Sequence, residues 1–592
     1  MDREKIDDSY KWNLTKIYGS IQDFRDDINL VKEKIKEFAK FKDIKYDENS
    51  LYEVIDLAMN TSRIIEKLEV YTSLLCDEDT RINKNQELKE EINNLYSEYI
   101  KASYFVDVDI LKLDYADIQK FYEKNNKLRE YEIYLKEMFR YKDHTLSDKE
   151  EKILADLTKA LGNNYDTYEL LKDSDLEFPS FKVGDKEYPL DGSKYSLYIE
   201  DDNREIRKAA FLDLYGVYKQ YKNVFANLIS SNVKEEEALA KIKKYDNAIE
   251  ASMYRDELDI KVHDNLVSVI RDKMDVLHHY YALKKKVLKL DELHLYDVYA
   301  NLVNNDSFKY PFDKAKETVI KALSVLGEEY INTLKQGIGD RWIDVYPNKG
   351  KRTGGYSSGS YDTNPYILLN YQDKYDDMST LAHELGHSMH SYYTRKNNPY
   401  QYGHYAIFVA EVASTVNELL LAKYVINNSN DKNEKLFILN RMMELFRATI
   451  YRQTMFSEFE RKIYHKIGND EPLTADILSD IYYDLNKDYF GEDVVIDDEI
   501  RYEWERIPHF YYNFYVYKYA TGLSAAASIV TRLLDGRLNP QDYLAFLKCG
   551  KSKSPLDSLK LAGVDLMDKR IIEDAIKMFS SIINDFEKLY FE

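Results

Sequence analysis

The sequence predicts a mainly α protein, a large multi-helix body with a small β-sheet set beside one of its helices. Three observations point there. Only 10 Pro and 20 Gly punctuate 592 residues, so few positions force a helix to stop. Apolar residues recur at three- and four-residue spacing between charged ones, as at Ile28, Val31, Ile35 and Phe38, which is the stripe of a helix burying one face. A single long segment, 337–371, is richer in Gly, Ser, Asn and β-formers than anything around it, and it carries the expected sheet.

The helical pattern runs through Ser50 to Lys112, Tyr115 to Phe139, Lys149 to Leu171, Arg204 to Ala240, Val262 to Leu288 and Phe312 to Gln336. Phe178 to Leu190 interrupts it and reads as two short strands around a Gly184-Asp185 turn, joining an N-terminal helical domain (1–175) to a catalytic domain (176–592). Within 337–371, Arg341 to Tyr346 and Tyr366 to Tyr371 read as strands, with Gly350 to Gly359 as a flexible connection. An extended substrate could add to such a strand edge through main-chain hydrogen bonds, and an ordinary capping sheet would have the same sequence. No repeat of fixed period is present.

Composition bounds the function classes. With 44% hydrophobic, 14% aromatic and 32% charged residues, the chain is foldable and soluble. Its net charge of −21 argues against a nucleic-acid partner, which needs concentrated Lys and Arg to displace counterions. Two cysteines, Cys76 and Cys549, are too few for a disulfide scaffold. The start, Met1 to Asp8, lacks an apolar h-region, and no window approaches ~18 uninterrupted apolar residues. A cytoplasmic protein with no membrane partner is expected. The oligomeric state stays open, and a monomer is compatible with everything in the sequence.

The chemistry sits in Leu381-Ala382-His383-Glu384-Leu385-Gly386-His387. His-Glu-x-x-His places two imidazoles one turn apart on a helix face, as a divalent metal requires, and Glu384 falls beside the open coordination position where a general base belongs. With 11 His and 105 acidic residues in 592, random placement yields about 0.04 such matches, even allowing Asp for Glu. Asp376, Asp377 and Ser379 are N-cap candidates, so the helix should begin there and end before Asn397-Asn398-Pro399.

A catalytic zinc usually takes three protein ligands. His390 shares the face of His383 but lies a turn beyond His387, without the extension that returns a third imidazole to the metal; it reads as core or as a support to the ligands. His404, in the loop after Pro399, reads as a surface or capping residue. Glu411 stands in Phe408-Val409-Ala410-Glu411-Val412-Ala413, where a lone carboxylate is costly unless a cation compensates it. Glu418, one heptad on, points the same way and either competes for the ligand role or holds a histidine.

These residues resemble a family, oligoendopeptidase F within the thimet-oligopeptidase-like metallopeptidases. The resemblance rests on His383 to Ser391, Glu411-x-x-Ser414, Gly350-Lys351-Arg352-x-Gly354-x-Tyr356 with Pro365 to Tyr371, and Trp12 to Tyr18, and it spans almost the whole chain. It implies a zincin-type helical fold enclosing a deep channel, one Zn2+ held by His383, His387 and Glu411, and Glu384 as general base on the metal's water. Ile507 to Tyr519 is similar to the family's His/Tyr segment. Read for chemistry, a histidine followed by a helix of tyrosines offers donors to a tetrahedral oxyanion. His509 is the imidazole expected there, with Tyr512 and Tyr519, whose seven-residue spacing would keep both on one helical face.

The expected function is therefore zinc-dependent endopeptidase action on short unstructured oligopeptides. Two alternatives stand beside it: an exopeptidase on the same scaffold, and a catalytically silent peptide-binding module with a structural metal. The intact Glu384 counts against the last, since a structural zinc needs no base and closes its shell with a fourth protein ligand.

Overall fold

A computed structural model describes residues 2–158, 161–303 and 308–592. It is mainly helical, as expected, with a few short strands. Its residues group into two compact units, each drawn from three stretches of chain: Met1–Asp143, Phe308–Tyr424 and Ile529–Val564 in one, His144–Ser307, Val425–Ser528 and Asp565–Glu592 in the other. The units interleave along the sequence, so they divide the chain differently from a single cut at 175/176.

The first unit opens with three helices, α1 (Ile21–Glu37), α2 (Glu48–Glu78) and α3 (Asn83–Ser103). Their starts follow from local chemistry. Ser20 Oγ accepts the Asp23 N–H while Asp23 accepts the Ser20 N–H, and Asp47 accepts the Asn49 and Ser50 amides, so orphan donors of the first turn are satisfied. Phe24, Ile28 and Val31 of α1 and Leu51, Val54, Ile55, Ile65 and Leu68 of α2 are buried in one core, as the three- and four-residue spacing requires.

That core also takes in a three-stranded sheet in the order β1 (Ile343–Asp344), β3 (Tyr366–Leu368), β2 (Tyr356–Ser358). β1 and β3 pair in parallel, Ile343 with Ile367; β2 and β3 pair antiparallel, Ser357 with Ile367. The two expected strands are present in shortened form. The third, β2, lies in the stretch expected to be a flexible connection, and it forms an edge of the sheet. Tyr366 and Leu368 of the central strand pack with Trp12 and the helices.

The glycine-rich stretch before β2 is bound rather than loose. Lys351 Nζ lies 2.6 Å from Asp344 Oδ1, Arg3 Nη2 lies 2.5 Å from Asp344 Oδ2, and Tyr356 OH donates to Asp77 Oδ2 at 2.6 Å. Asp344 and Lys351 are both buried, and Asp344 is compensated by two cations, Lys351 and Arg3.

Two further helices of this part of the chain carry the expected site, α4 (Tyr375–Asn397) and α5 (Ala410–Asn428). α4 is capped two residues earlier than the first of its N-cap candidates: Lys374 is the cap, and Asp377, three residues on, accepts the Lys374 and Gln372 amides at 2.9 Å each. It ends at Asn397, where Pro399 lies two residues beyond.

In the second unit the Phe178–Leu190 interruption is a hairpin, Ser180–Val183 against Lys186–Pro189, with Gly184 at φ +60° in the turn. The 39-residue helix Arg204–Ile242 follows, capped by Asn203. The Ile507–Tyr519 segment is not one helix. A short 3-10 turn spans Pro508–Tyr511, Asn513 and Phe514 have φ of +44° and +56°, and the helix begins only at Tyr517. Among the described residues, no helix is long and apolar enough to cross a membrane.

Candidate metal centre

His383 and His387 project from one face of α4, and Glu411 enters from the first turn of α5. Among the described residues these three are the one group of His, Cys, Asp or Glu with ligand atoms close enough to share an ion, all within 4.8 Å. The His383 and His387 Nε2 atoms are 3.1 Å apart, and Glu411 Oε2 is 3.4 Å from the first and 3.5 Å from the second. Metal–ligand bonds of about 2.0–2.1 Å at tetrahedral angles put neighbouring donor atoms about 3.3 Å apart. The donor set thus fits a zinc ion with its fourth position open.

The supports around these ligands are equally specific. Glu418 Oε1 bonds His383 Nδ1, so the second of its two expected roles is the observed one. That bond puts the ring proton on Nδ1 and leaves the Nε2 lone pair for a metal. Ser414 Oγ donates to the Glu411 backbone oxygen at 2.9 Å and lies 3.2 Å from its Oε2. Asn417 Nδ2 donates to the Ala382 carbonyl at 3.0 Å, and Tyr330 OH donates to Asn417 Oδ1 at 3.2 Å. Asn417 was not expected from the sequence, although its place one residue before Glu418 on the same helix is the available signal.

Gly386 sets the helix spacing. A β-carbon there would lie 2.5 Å from Ser414 Cα and 2.7 Å from both Ala413 O and Ser414 N, all backbone atoms of α5. Only a residue without a side chain lets α4 and α5 approach this closely.

The electrostatics call for positive charge between the ligands. Burial works against the His383 imidazolium, yet hydrogen bonds to Glu411 and Glu418 outweigh it and hold its pKa at about 10. Those from His383 and His387 hold the Glu411 carboxyl well below the usual range despite burial. A proton does here what a cation does better, and the two compete for the same lone pairs. Glu384 is buried, which pushes its carboxyl up, while the adjacent His383 and His387 pull the other way. A base with a raised pKa takes a proton more readily.

Neither of the other two histidines weighed as ligands joins the cluster. His390 is buried, stacks on Tyr405 at 3.7 Å between ring centroids, and is kept neutral by burial and by His387, with a pKa near 3. His404 lies outside the cluster, its Nε2 3.6 Å from Glu66 Oε1.

His509, Tyr512 and Tyr519 belong to the second unit. The argument that put Tyr512 and Tyr519 on one helical face does not apply, because the left-handed pair at 513–514 breaks the helix between them. Both rings nonetheless flank His509, at centroid distances of 5.6 and 6.0 Å. The turn is fixed by partners the sequence did not reveal: Phe514 N–H donates to Glu460 Oε1 at 2.5 Å, Asn513 Nδ2 to Glu236 Oε2 at 2.6 Å, and Ser252 Oγ to the Asn513 carbonyl at 3.1 Å. Burial pushes the Glu460 carboxyl up to about 8. Consecutive non-glycine residues at positive φ persist only where their surroundings hold them. Tyr512 OH is engaged with Tyr165 OH at 2.7 Å, and burial and the Arg452 cation pull the His509 pKa down.

A helical body presenting His-Glu-x-x-His against a carboxylate from a second helix defines a metallopeptidase. Residues 197–578 match the sequence profile of peptidase family M3, and 109–178 match that of oligopeptidase F. The chain is 43% identical to oligopeptidase PepF of Bacillus subtilis over 99% of its own length and 88% of the relative's. It is 37% identical to an oligoendopeptidase F homolog of Borreliella burgdorferi, with 100% of both chains covered. Among solved structures, a putative peptidase from Chlamydophila abortus superposes with a TM-score of 0.95 at 34% identity, covering 99% of each chain. Oligoendopeptidase-F from Enterococcus faecium superposes at 0.74 and 32% identity, covering 96% of this chain and 99% of that one. The chain belongs to peptidase family M3, in its oligoendopeptidase F branch, and is a metalloendopeptidase.

Proposed function

We propose that the protein is a zinc-dependent endopeptidase of short unstructured oligopeptides, with one Zn2+ on His383, His387 and Glu411 and with Glu384 as general base. The observation that carries this is the triangle of donor atoms at 3.1, 3.4 and 3.5 Å, matched to the edges of a tetrahedral zinc site. When bound, the ion supplies a Lewis acid that polarises the scissile carbonyl and acidifies water. Glu418 holds His383 in the tautomer that presents Nε2, and Ser414 steadies Glu411. Glu384 removes the proton of the attacking water and then delivers it to the leaving amine.

The edge strand β2, beside α4 through the Ser357 Oγ–Ser388 Oγ bond of 2.8 Å, offers main-chain partners to an extended peptide whatever its side chains. We assign His509, Tyr512 and Tyr519 to oxyanion stabilisation, supported by the clustering of both tyrosine rings around His509 on either side of the left-handed pair at 513–514. The names of the relatives, oligopeptidase and oligoendopeptidase F, favour oligopeptide substrates. A cytoplasmic setting is supported by two free cysteines and the absence of a membrane-crossing helix among the described residues. We also propose the 175/176 cut as the boundary between an N-terminal helical domain and the catalytic domain, supported by the family matches that end at 178 and begin at 197.

The test is an end-blocked peptide incubated with and without a chelator, with products identified by mass spectrometry. Internal cleavage abolished by chelation and restored by zinc is expected. Cleavage only of peptides with free ends would establish an exopeptidase, and binding without turnover a silent module.

A further inference from the structure

One face of α4 extends beyond the metal ligands. Glu384, Ser388, Ser391 and Arg395 stand at i, i+4, i+7 and i+11, a single stripe along the helix. The strand beside that stripe is β2, through the Ser357–Ser388 bond, and Arg395 Nη2 donates to the carbonyl of Gly359, just past the strand's end, at 2.7 Å. At this far end lies a polar pocket of about 260 Å³, lined by Ser357, Ser358, Ser391, Arg395 and Tyr405 among others.

The pocket has the features of a built site. Arg395 Nε and Nη1 are sealed from solvent and have no hydrogen-bond partner, and among the described residues Arg395 makes no ion pair within 4 Å. Burial acts against its charge, and only Glu66 and Tyr405 favour it at longer range. A guanidinium presents five donors in a planar fork suited to a carboxylate, and leaving buried donors unpaired is costly. One glycine makes room for it: a β-carbon on Gly359 would lie 2.8 Å from Arg395 Nη1. His404, also in the wall, is kept neutral by burial and by Arg395 and Lys551, with a pKa near 4, so it adds no second cation.

We propose that this pocket is a carboxylate-binding subsite for the peptide, with Arg395 as the recognising residue and the Ser391 and Ser358 hydroxyls as neighbouring donors. The proposal rests on the reading of α4 and β2 as the floor and edge of a peptide-cleaving site. Arg395 lies eight residues past His387 and eleven past Glu384, about 12 and 16 Å along the helix axis at 1.5 Å per residue. An extended peptide covers that distance in about four or five residues. The subsite is therefore a ruler: it selects peptides whose carboxylate, from the free C-terminus or from an acidic side chain, falls four or five residues from the bond that is cut.

The experiment uses the zinc-loaded protein and N-acetylated peptides with two to seven residues after the scissile bond, each prepared as free acid and as amide. A second amidated set carries one glutamate moved along the chain. Within each protein the ratio of KM for amide to KM for acid is the readout. We expect the wild-type ratio to reach about 10–100 only at four or five residues, the effect of one charge-assisted bidentate contact. Arg395→Gln brings it to about 1, and Arg395→Lys, which keeps a cation without the fork, gives a value between. Glutamate restoring the gain in amides assigns side-chain recognition; a gain confined to free acids assigns the C-terminus. A wild-type ratio near 1 at every length, or the same ratio in the variants, overturns the proposal. Internal cleavage of the amidated peptides is scored in the same assay, so loss of the subsite is distinguished from failure of the endopeptidase reading.

Discussion

Gly386→Ala is the most revealing single substitution, because its effect follows from geometry alone. The added methyl carbon would lie 2.5 Å from Ser414 Cα, with two further backbone atoms of α5 at 2.7 Å. Carbon–carbon contact is comfortable at about 3.5 Å, and no rotamer change relieves a clash with backbone. α4 and α5 must therefore part by about 1 Å at this point. Glu411 lies three residues before Ser414 on the same helix and moves with it. Its distances of 3.4 and 3.5 Å from the two imidazole nitrogens would grow to about 4.5 Å, against about 3.3 Å for a tetrahedral zinc. We expect zinc affinity to fall about 10–100-fold, the range seen when a ligand's support is lost. We expect kcat/KM to fall about 100-fold, as for a 1 Å misplacement of catalytic groups, and stability by about 1–3 kcal/mol from overpacking. Competition against a chromophoric chelator reads the affinity, with circular dichroism and Tm as folding controls. A folded Gly386→Ala protein with wild-type zinc affinity would refute the claim that this contact sets the ligand spacing.

Three further outcomes follow from the same structure. Glu418→Gln removes the anionic partner of His383 Nδ1 and should weaken zinc binding about 10–100-fold, measured in the same chelator competition. Tyr519→Phe and Tyr512→Phe should each lower kcat by about 100-fold with KM little changed, as for loss of an oxyanion donor. Glu505 is buried, neither carboxyl oxygen has a hydrogen-bond partner, and burial pushes it up to about 9 from 4.5. Between those values the folded state holds one more proton than the unfolded, so this group lowers stability as pH rises from about 4.5 to 9. Glu505→Gln should raise Tm at pH 8 more than at pH 5.

What the sequence made legible was what local rules decide. The His383–His387 spacing needs only the 3.6-residue period, the hairpin at 180–189 needs only a Gly184-Asp185 turn between β-formers, and Glu411 stood out because a carboxylate among apolar neighbours needs a partner. The misses arise from long-range contacts. β2 reads as a flexible connection because Gly354, Gly355 and Gly359 flank it; its strand partner is nearby, but Asp77 of α2, which holds Tyr356, is remote in sequence. The break at Asn513-Phe514 is imposed by Glu460, Glu236 and Ser252; the only local hint is Asn513, a residue that tolerates left-handed backbone. The tyrosine-rich run around it promised a helix, and the buried carboxylates overrode that promise. Arg395 drew no notice in sequence, and Gly359 only as part of a flexible connection, because one pocket unites them only after β2 has packed on α4.

The central claim is that His383, His387 and Glu411 hold the metal while Glu384 does the proton transfer, so the two functions should separate in Glu384→Gln. The decisive measurement is zinc content together with turnover of an end-blocked peptide on that one purified variant. The account predicts about one zinc per chain and kcat reduced by about 100- to 10,000-fold. Full turnover with zinc bound would contradict Glu384 as the base, and loss of the zinc would contradict the separation of holding the metal from moving the proton.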